Sequence, residues 1–162
     1  MKTKVSSSRL QAAVLLLGMV GGMATMLSAE SPAAGPTSIV GVWDVQVTVL
    51  DCSTGDPIGS AHGLHKYELG GTAQAVPSTN PAALSASVGV WTNVGKDKYR
   101  LTLKMFRFDP AGNNIGWAVV RDNIAISKDA TLYAGSGQST GYDLNGNPLG
   151  TICLSFTGTR FR

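Results

Sequence analysis

His62, His65 and Tyr67 are the residues of this chain whose types and spacing come nearest to a reaction centre. In extended backbone, side chains alternate between faces. His62 and His65, three apart, therefore point opposite ways and cannot act as a two-histidine metal pair. No acidic residue is spaced to complete such a site, and neither a metal nor a cofactor is expected. His65 and Tyr67, two apart, share a face. Inside a barrel, an imidazole beside a phenol reads first as a pair of hydrogen-bonded polar groups in a cavity. The sharper alternative is general acid–base work.

Arg107 and Arg121 are the remaining catalytic candidates. Turned inward, either one holds a carboxylate or enolate oxygen. Turned outward, it is a solvated charge with Asp122 as a potential partner, and the outward orientation is the expectation for both. The chain has no Gly-x-Ser-x-Gly elbow, phosphate-binding loop, dinucleotide fingerprint or His-Glu-x-x-His. Residues 135–139 (Gly-Ser-Gly-Gln-Ser) read as a glycine-loosened strand. Residues 143–147 read as a turn with too few ligands for calcium.

These side chains need strands to position them. Residues 38–50 alternate, with Ile39, Gly41, Trp43, Val45, Val47 and Val49 on one face and Asp44, Gln46 and Thr48 on the other. Further strands are expected at 61–69, 72–76, 85–94, 98–108, 115–127, 131–142 and 150–161. The turns between them carry Gly70-Gly71, Lys96-Asp97, Asn113-Asn114, Asp129 and Asn145-Gly146. In the fifth strand the pattern fails at Arg107, because Phe106 and Phe108 fall on the polar face. A bulge near Met105 is expected there.

Eight strands with hairpin-length connections predict an all-β fold, a closed antiparallel eight-stranded up-and-down β-barrel, since closure removes the two exposed edges. One register of the first strand against the last pairs Trp43 with Arg160. It also sets Val45, Val47 and Val49 opposite Gly158, Phe156 and Leu154, and leaves Cys52 a diagonal step from Cys153. The loops after strands one, three, five and seven have about ten, eight, six and six residues and share a rim. That rim is the expected mouth of a cavity walled by Val49, His65, Tyr67, Trp91, Met105, Trp117 and Tyr133. Trp43 and Arg160 are expected to seal the opposite end.

Residues 1–29 have the pattern of a signal peptide: Lys2, Lys4 and Arg9 precede an uncharged apolar run, and Leu27-Ser28-Ala29 offers a cleavage site. The apolar run, about 16 residues with three glycines, is short for a membrane span. Residues 30–37 are expected to be a disordered lead-in and residues 38–162 the barrel. Three of the 13 basic residues lie in the leader, and all ten acidic ones follow it. The mature chain is therefore formally neutral, which removes the electrostatic case for nucleic acid or an anionic membrane surface. In an exported chain, Cys52 and Cys153 are expected to form a disulfide.

Gly41-Val42-Trp43 near the start of the first strand and Gly158-Thr159-Arg160 on the last resemble the calycin superfamily of lipocalins and lipocalin-like barrels. The resemblance implies that the arginine packs across the tryptophan. No helix is expected before the eighth strand and no Thr-Asp-Tyr-like motif lies near the middle. These departures favour a bacterial-type lipocalin-like or allene-oxide-cyclase-like barrel. A second Gly-Val-Trp, 48 residues after the first, reads as chance recurrence among Val- and Gly-rich strands. The expected function is binding of a small hydrophobic or amphipathic molecule by a secreted or periplasmic barrel. The alternatives are an isomerase, cyclase or lyase, and a structural module whose barrel is filled. The oligomeric state is left open.

Overall fold

Alternating apolar and polar residues make each strand two-faced, and eight such strands bury their apolar faces by curling on themselves. The computed structural model describes residues 38–162, so the expected leader (1–29) and lead-in (30–37) lie outside the described residues. The strands are β1 (Gly41–Leu50), β2 (Pro57–Tyr67), β3 (Thr72–Pro77), β4 (Ser87–Gly95), β5 (Lys98–Phe108), β6 (Asn114–Ile126), β7 (Leu132–Tyr142) and β8 (Pro148–Arg160). Each pairs antiparallel with the next, and β1 pairs with β8, which closes the barrel. Among the described residues there is no helix.

The closing seam has the expected register. Trp43 faces Arg160, Val45 faces Gly158, Val47 faces Phe156 and Val49 faces Leu154. Cys52 and Cys153 form a disulfide with their Cα atoms 5.0 Å apart, joining the segment that leaves β1 to β8. At the other end of the seam the Arg160 guanidinium lies 4.3 Å from the Trp43 ring centroid. It donates to three carbonyls: Nε to Ala130 (2.6 Å), Nη1 to Val40 (2.7 Å) and Nη2 to Ser38 (2.6 Å). The Trp43 indole N–H donates to the Ile39 carbonyl at 2.8 Å, and both side chains are fully buried. This end is therefore plugged by the segment that enters β1, which Arg160 ties to the β6–β7 turn.

Several expectations need correction. β2 starts at Pro57 and not at residue 61, because the β1–β2 ladder runs on through Val49–Gly59 and Leu50–Pro57 with Ile58 bulged out. Proline at the first position of a strand gives up no ladder bond. Leu69, expected as the last residue of the 61–69 strand, lies exposed in the β2–β3 turn. The irregularity expected near Met105 falls two residues later. The β5–β6 register is unbroken through Phe106–Trp117 and Arg107–Gly116 and shifts only between Arg107 and Phe108. Phe106 stays outward, where it lies opposite Trp117, so the alternation carries Arg107 to the inner face.

The connections after β1, β3, β5 and β7 are about six, nine, five and five residues, a smaller contrast with the opposite end than expected. Two of them are the same turn. Asp109 and Asp143 each accept the backbone and side-chain N–H of an asparagine four residues on, at 2.8 to 3.0 Å. Gly112 and Gly146 supply the left-handed residue at φ 84° and 86°. The longest connection, 78–86, is held against the end of β5. Ser85 N–H donates to Phe106 C=O (3.0 Å), and Phe108 N–H donates to Ala83 C=O (2.9 Å).

Arg160→Ala is expected to cost about 3–5 kcal/mol in chemical denaturation, because three carbonyls lose a charged donor. Arg160→Lys should recover little of that, since an ammonium cannot span the three acceptors. Replacing both cysteines by serine opens a closure of sequence separation 101. It should lower unfolding free energy by about 2–4 kcal/mol, with reductant then having no further effect.

Candidate functional site

The closed half of the barrel is filled. Ile39, Trp43, Val45, Tyr99, Leu101 and Ile124 are buried there, and Tyr67, Tyr133 and Phe156 form an aromatic layer above them. Trp43 and Tyr133 pack with ring centroids 4.8 Å apart. Glycines in β7 and β8 make room for the large rings: the Phe156 ring lies over Gly135 and the Tyr133 ring over Gly158. Toward the rim that carries the longer loops, the inward side chains become smaller and stop meeting. They leave a cavity of about 200 Å³ between Val47, Val49, Ala75, Leu103, Met105 and Leu154. Thr79 and Leu84 of the 78–86 loop line it as well. A single water needs roughly 10–15 Å³ of such space, so this cavity has room for more than one water.

Few polar groups line the space. His65 Nδ1 lies 3.4 Å from the Tyr67 hydroxyl and 3.3 Å from the Tyr133 hydroxyl, and the two phenol rings pack edge to face. Burial pushes both phenols well above their usual range, and Tyr67 and Asp122 add to the rise at Tyr133. Burial also drops the His65 imidazole to about 4, so it is neutral at physiological pH. Ser87 is buried with its hydroxyl 3.9 Å from the Met105 sulfur.

Asp122 is the residue the sequence reading passed over. It lines the cavity from β6, is 5 % exposed, and its Oδ1 has no hydrogen-bond partner among the described residues. The carboxyl sits over its cross-strand neighbour Gly137, where any Cβ would collide with Oδ1. Burial raises its pKa from 3.8 to about 7. A signal for it was present. Ala118, Val120, Ile124 and Ile126 are the inward positions of β6, and Asp122 falls in the same alternation. Reading Asp122 as a surface partner for an outward Arg107 or Arg121 obscured this. Adjacent strand residues face opposite ways, and Arg121 is exposed on the outside.

The other predicted site residues divide. Val49, His65 and Met105 line the cavity, while Tyr67 and Tyr133 belong to its floor. Arg107, expected outward, points inward at the rim, with Nη1 3.5 Å from where a Cβ on Gly141 would lie, two strands away. Trp91 lines no part of the cavity. It packs on Tyr99 toward the closed end and donates its indole N–H to Glu68 C=O at 3.1 Å. Trp117 is on the outer face, stacked on Tyr142 with centroids 5.8 Å apart and with Lys104 Nζ 4.5 Å above it. Both corrections follow from position: Trp117 has outward parity on β6, and Trp91 is inward but nearer the short β4–β5 turn. His62 is exposed on the outside, paired with Asp44.

Among the described residues no group of three or more His, Cys, Asp and Glu is placed to hold a metal ion, and no helix is long and apolar enough to cross a membrane. Comparison with known protein families, curated proteins and solved structures finds no match for this chain.

The interior acid and imidazole give opposing pH dependences. Folded Asp122 keeps its proton up to about pH 7, whereas the unfolded chain releases it near 3.8, so stability falls as pH rises through that window. Folded His65 stays neutral down to about pH 4 but titrates near 6.5 when unfolded, so stability falls as pH drops through that window. In the wild type the two slopes largely offset each other. Asp122→Asn removes the first and leaves the second. Its stability relative to wild type should increase by about 2–4 kcal/mol between pH 4 and pH 8, measured by urea denaturation across that range.

Proposed function

We propose that this chain is an exported, lipocalin-like barrel of the calycin kind that carries a small apolar or amphipathic molecule in its interior. The observation that supports this most is the cavity at the longer-looped rim, with its predominantly apolar wall beneath the 78–86 loop. Trp43 packed under Arg160 at the plugged end matches the arrangement expected of such barrels. Export is supported by the leader pattern and by the disulfide, which suits an oxidising compartment. A filled structural barrel has less support, because the side chains leave about 200 Å³ open.

Catalysis by His65 and Tyr67 also has less support. The phenol is pushed away from ionisation, and an imidazole with a pKa of about 4 is a weak base at neutral pH. Both groups satisfy each other and Tyr133, which fits the reading of polar groups that complete a cavity floor.

Binding is best measured by calorimetry. None of Trp43, Trp91 and Trp117 lines the cavity, so their fluorescence is a poor reporter of its occupant. 1-Hexanol should bind and raise the melting temperature. Ala61→Phe, which projects a ring into the cavity beside Val47, should abolish that binding while the protein stays folded by circular dichroism. Equal binding by the variant would place the probe elsewhere and remove the proposal.

A further inference from the structure

The cavity wall has one feature that an apolar carrier does not need. Burying a carboxyl with an unpaired oxygen is unfavourable, and replacing it with an apolar side chain would remove that penalty. The surroundings are nevertheless shaped to hold it. Gly137 lies directly across the ladder and leaves the space that the carboxyl occupies, a space no other residue type would leave. The groups that face Asp122 do not neutralise it. From β2 come His65 and Tyr67, from β7 Tyr133, and these three are engaged with one another. From β5, Leu101 and Leu103 present only hydrocarbon, as do Val47 and Val49 from β1 and Leu154 and Phe156 from β8. Two cations lie on the inner face among the described residues: Arg160 is held at the plugged end by three carbonyls, and Arg107 pairs with Gly116, six positions along β6 from Asp122. That separation is about 20 Å along a strand, so Arg107 cannot reach the acid.

Ser139 of β7 lines the same wall but makes no hydrogen bond to Oδ1, which is left open to a donor that the occupant brings. We infer that the cavity selects a small apolar amine, with its ammonium seated on Asp122 and its hydrocarbon part against Leu103, Met105 and Leu154. This rests on the reading of the barrel as a carrier and names the class of ligand. An ammonium offers three donors and a compensating charge, and a charged pair in a water-poor site is stronger than a neutral hydrogen bond. A carboxylate ligand would bring a like charge to the acid and is selected against. An alcohol supplies one donor and no charge, so it ranks between the two.

The experiment uses hexylamine, 1-hexanol and hexanoate, which share a six-carbon scale and differ in head group, with the full mature chain in calorimetry at pH 7.5. The expected order is amine, then alcohol, then carboxylate, with the amine at least tenfold tighter than the alcohol. Asp122→Asn should reduce amine affinity tenfold or more and change alcohol affinity less than threefold. Amine binding at pH 6 should also release close to one proton, read from the dependence of the enthalpy on buffer ionisation. The acid is largely protonated there when the cavity is free and must ionise to hold an ammonium. At pH 8.5 the release should vanish. The proton count is measured on wild type and stands even if the variant does not fold. Equal affinity for amine and alcohol, preference for hexanoate, or no proton release at pH 6 would overturn the amine assignment while leaving the carrier reading in place. Failure of all three probes to bind would overturn both.

Discussion

The barrel depends on one side chain closing it at the seam. Eight strands in a meander have two edges, each a row of backbone donors and acceptors that must find partners. β1 and β8 supply those partners for each other, and Arg160 locks the pairing at one end by tying the segment before β1 and the β6–β7 turn to its own strand. Its guanidinium lies on Trp43, so the charge is placed on a ring face that stabilises it. The disulfide performs the corresponding task near the other end of the seam. Between these two points the ladder has little freedom to slip, and a slip of one residue would turn Trp43, Val45 and Val47 outward.

With the circumference set, packing divides the interior into two halves. Large rings crowd the plugged half, and strand glycines at 135 and 158 relieve the crowding by giving their space to Phe156 and Tyr133. The open half is lined by valine, alanine, leucine and methionine, whose side chains do not reach across the barrel. The cavity is the consequence of that size gradient. His65 and Asp122 lie where the two regimes meet, and their environments push them in opposite senses, the imidazole toward neutrality and the acid toward retaining its proton. Near pH 7 the imidazole is therefore uncharged and the acid only part ionised, which limits the charge that the apolar interior holds without an ion pair.

Much of this was legible in the sequence. Period-two alternation placed the strands to within a few residues, and a single register brought Trp43–Arg160 and the two cysteines into proximity together. His65 and Tyr67 were correctly assigned to one face. The errors concentrate where a residue's chemical character was allowed to outweigh its parity. Asp122 and Arg107 were read as outward because they are charged, and Trp117 as inward because it is aromatic. In each case the unbroken ladder decided otherwise. Trp91 shows a different limit, since its inward parity was right and only its height along the barrel axis kept it from the cavity.

The sequence by itself determined the strand order, the all-β class, the closure and the partners across the seam. These follow from alternation and from turn chemistry, both of which act over a few neighbouring residues. Only the tertiary structure decided which inward positions fill the barrel and which leave it open, and that an acid would be left without a protein partner. Those outcomes depend on distances across the barrel between strands far apart in the chain, where the size of each side chain is weighed against whatever stands opposite.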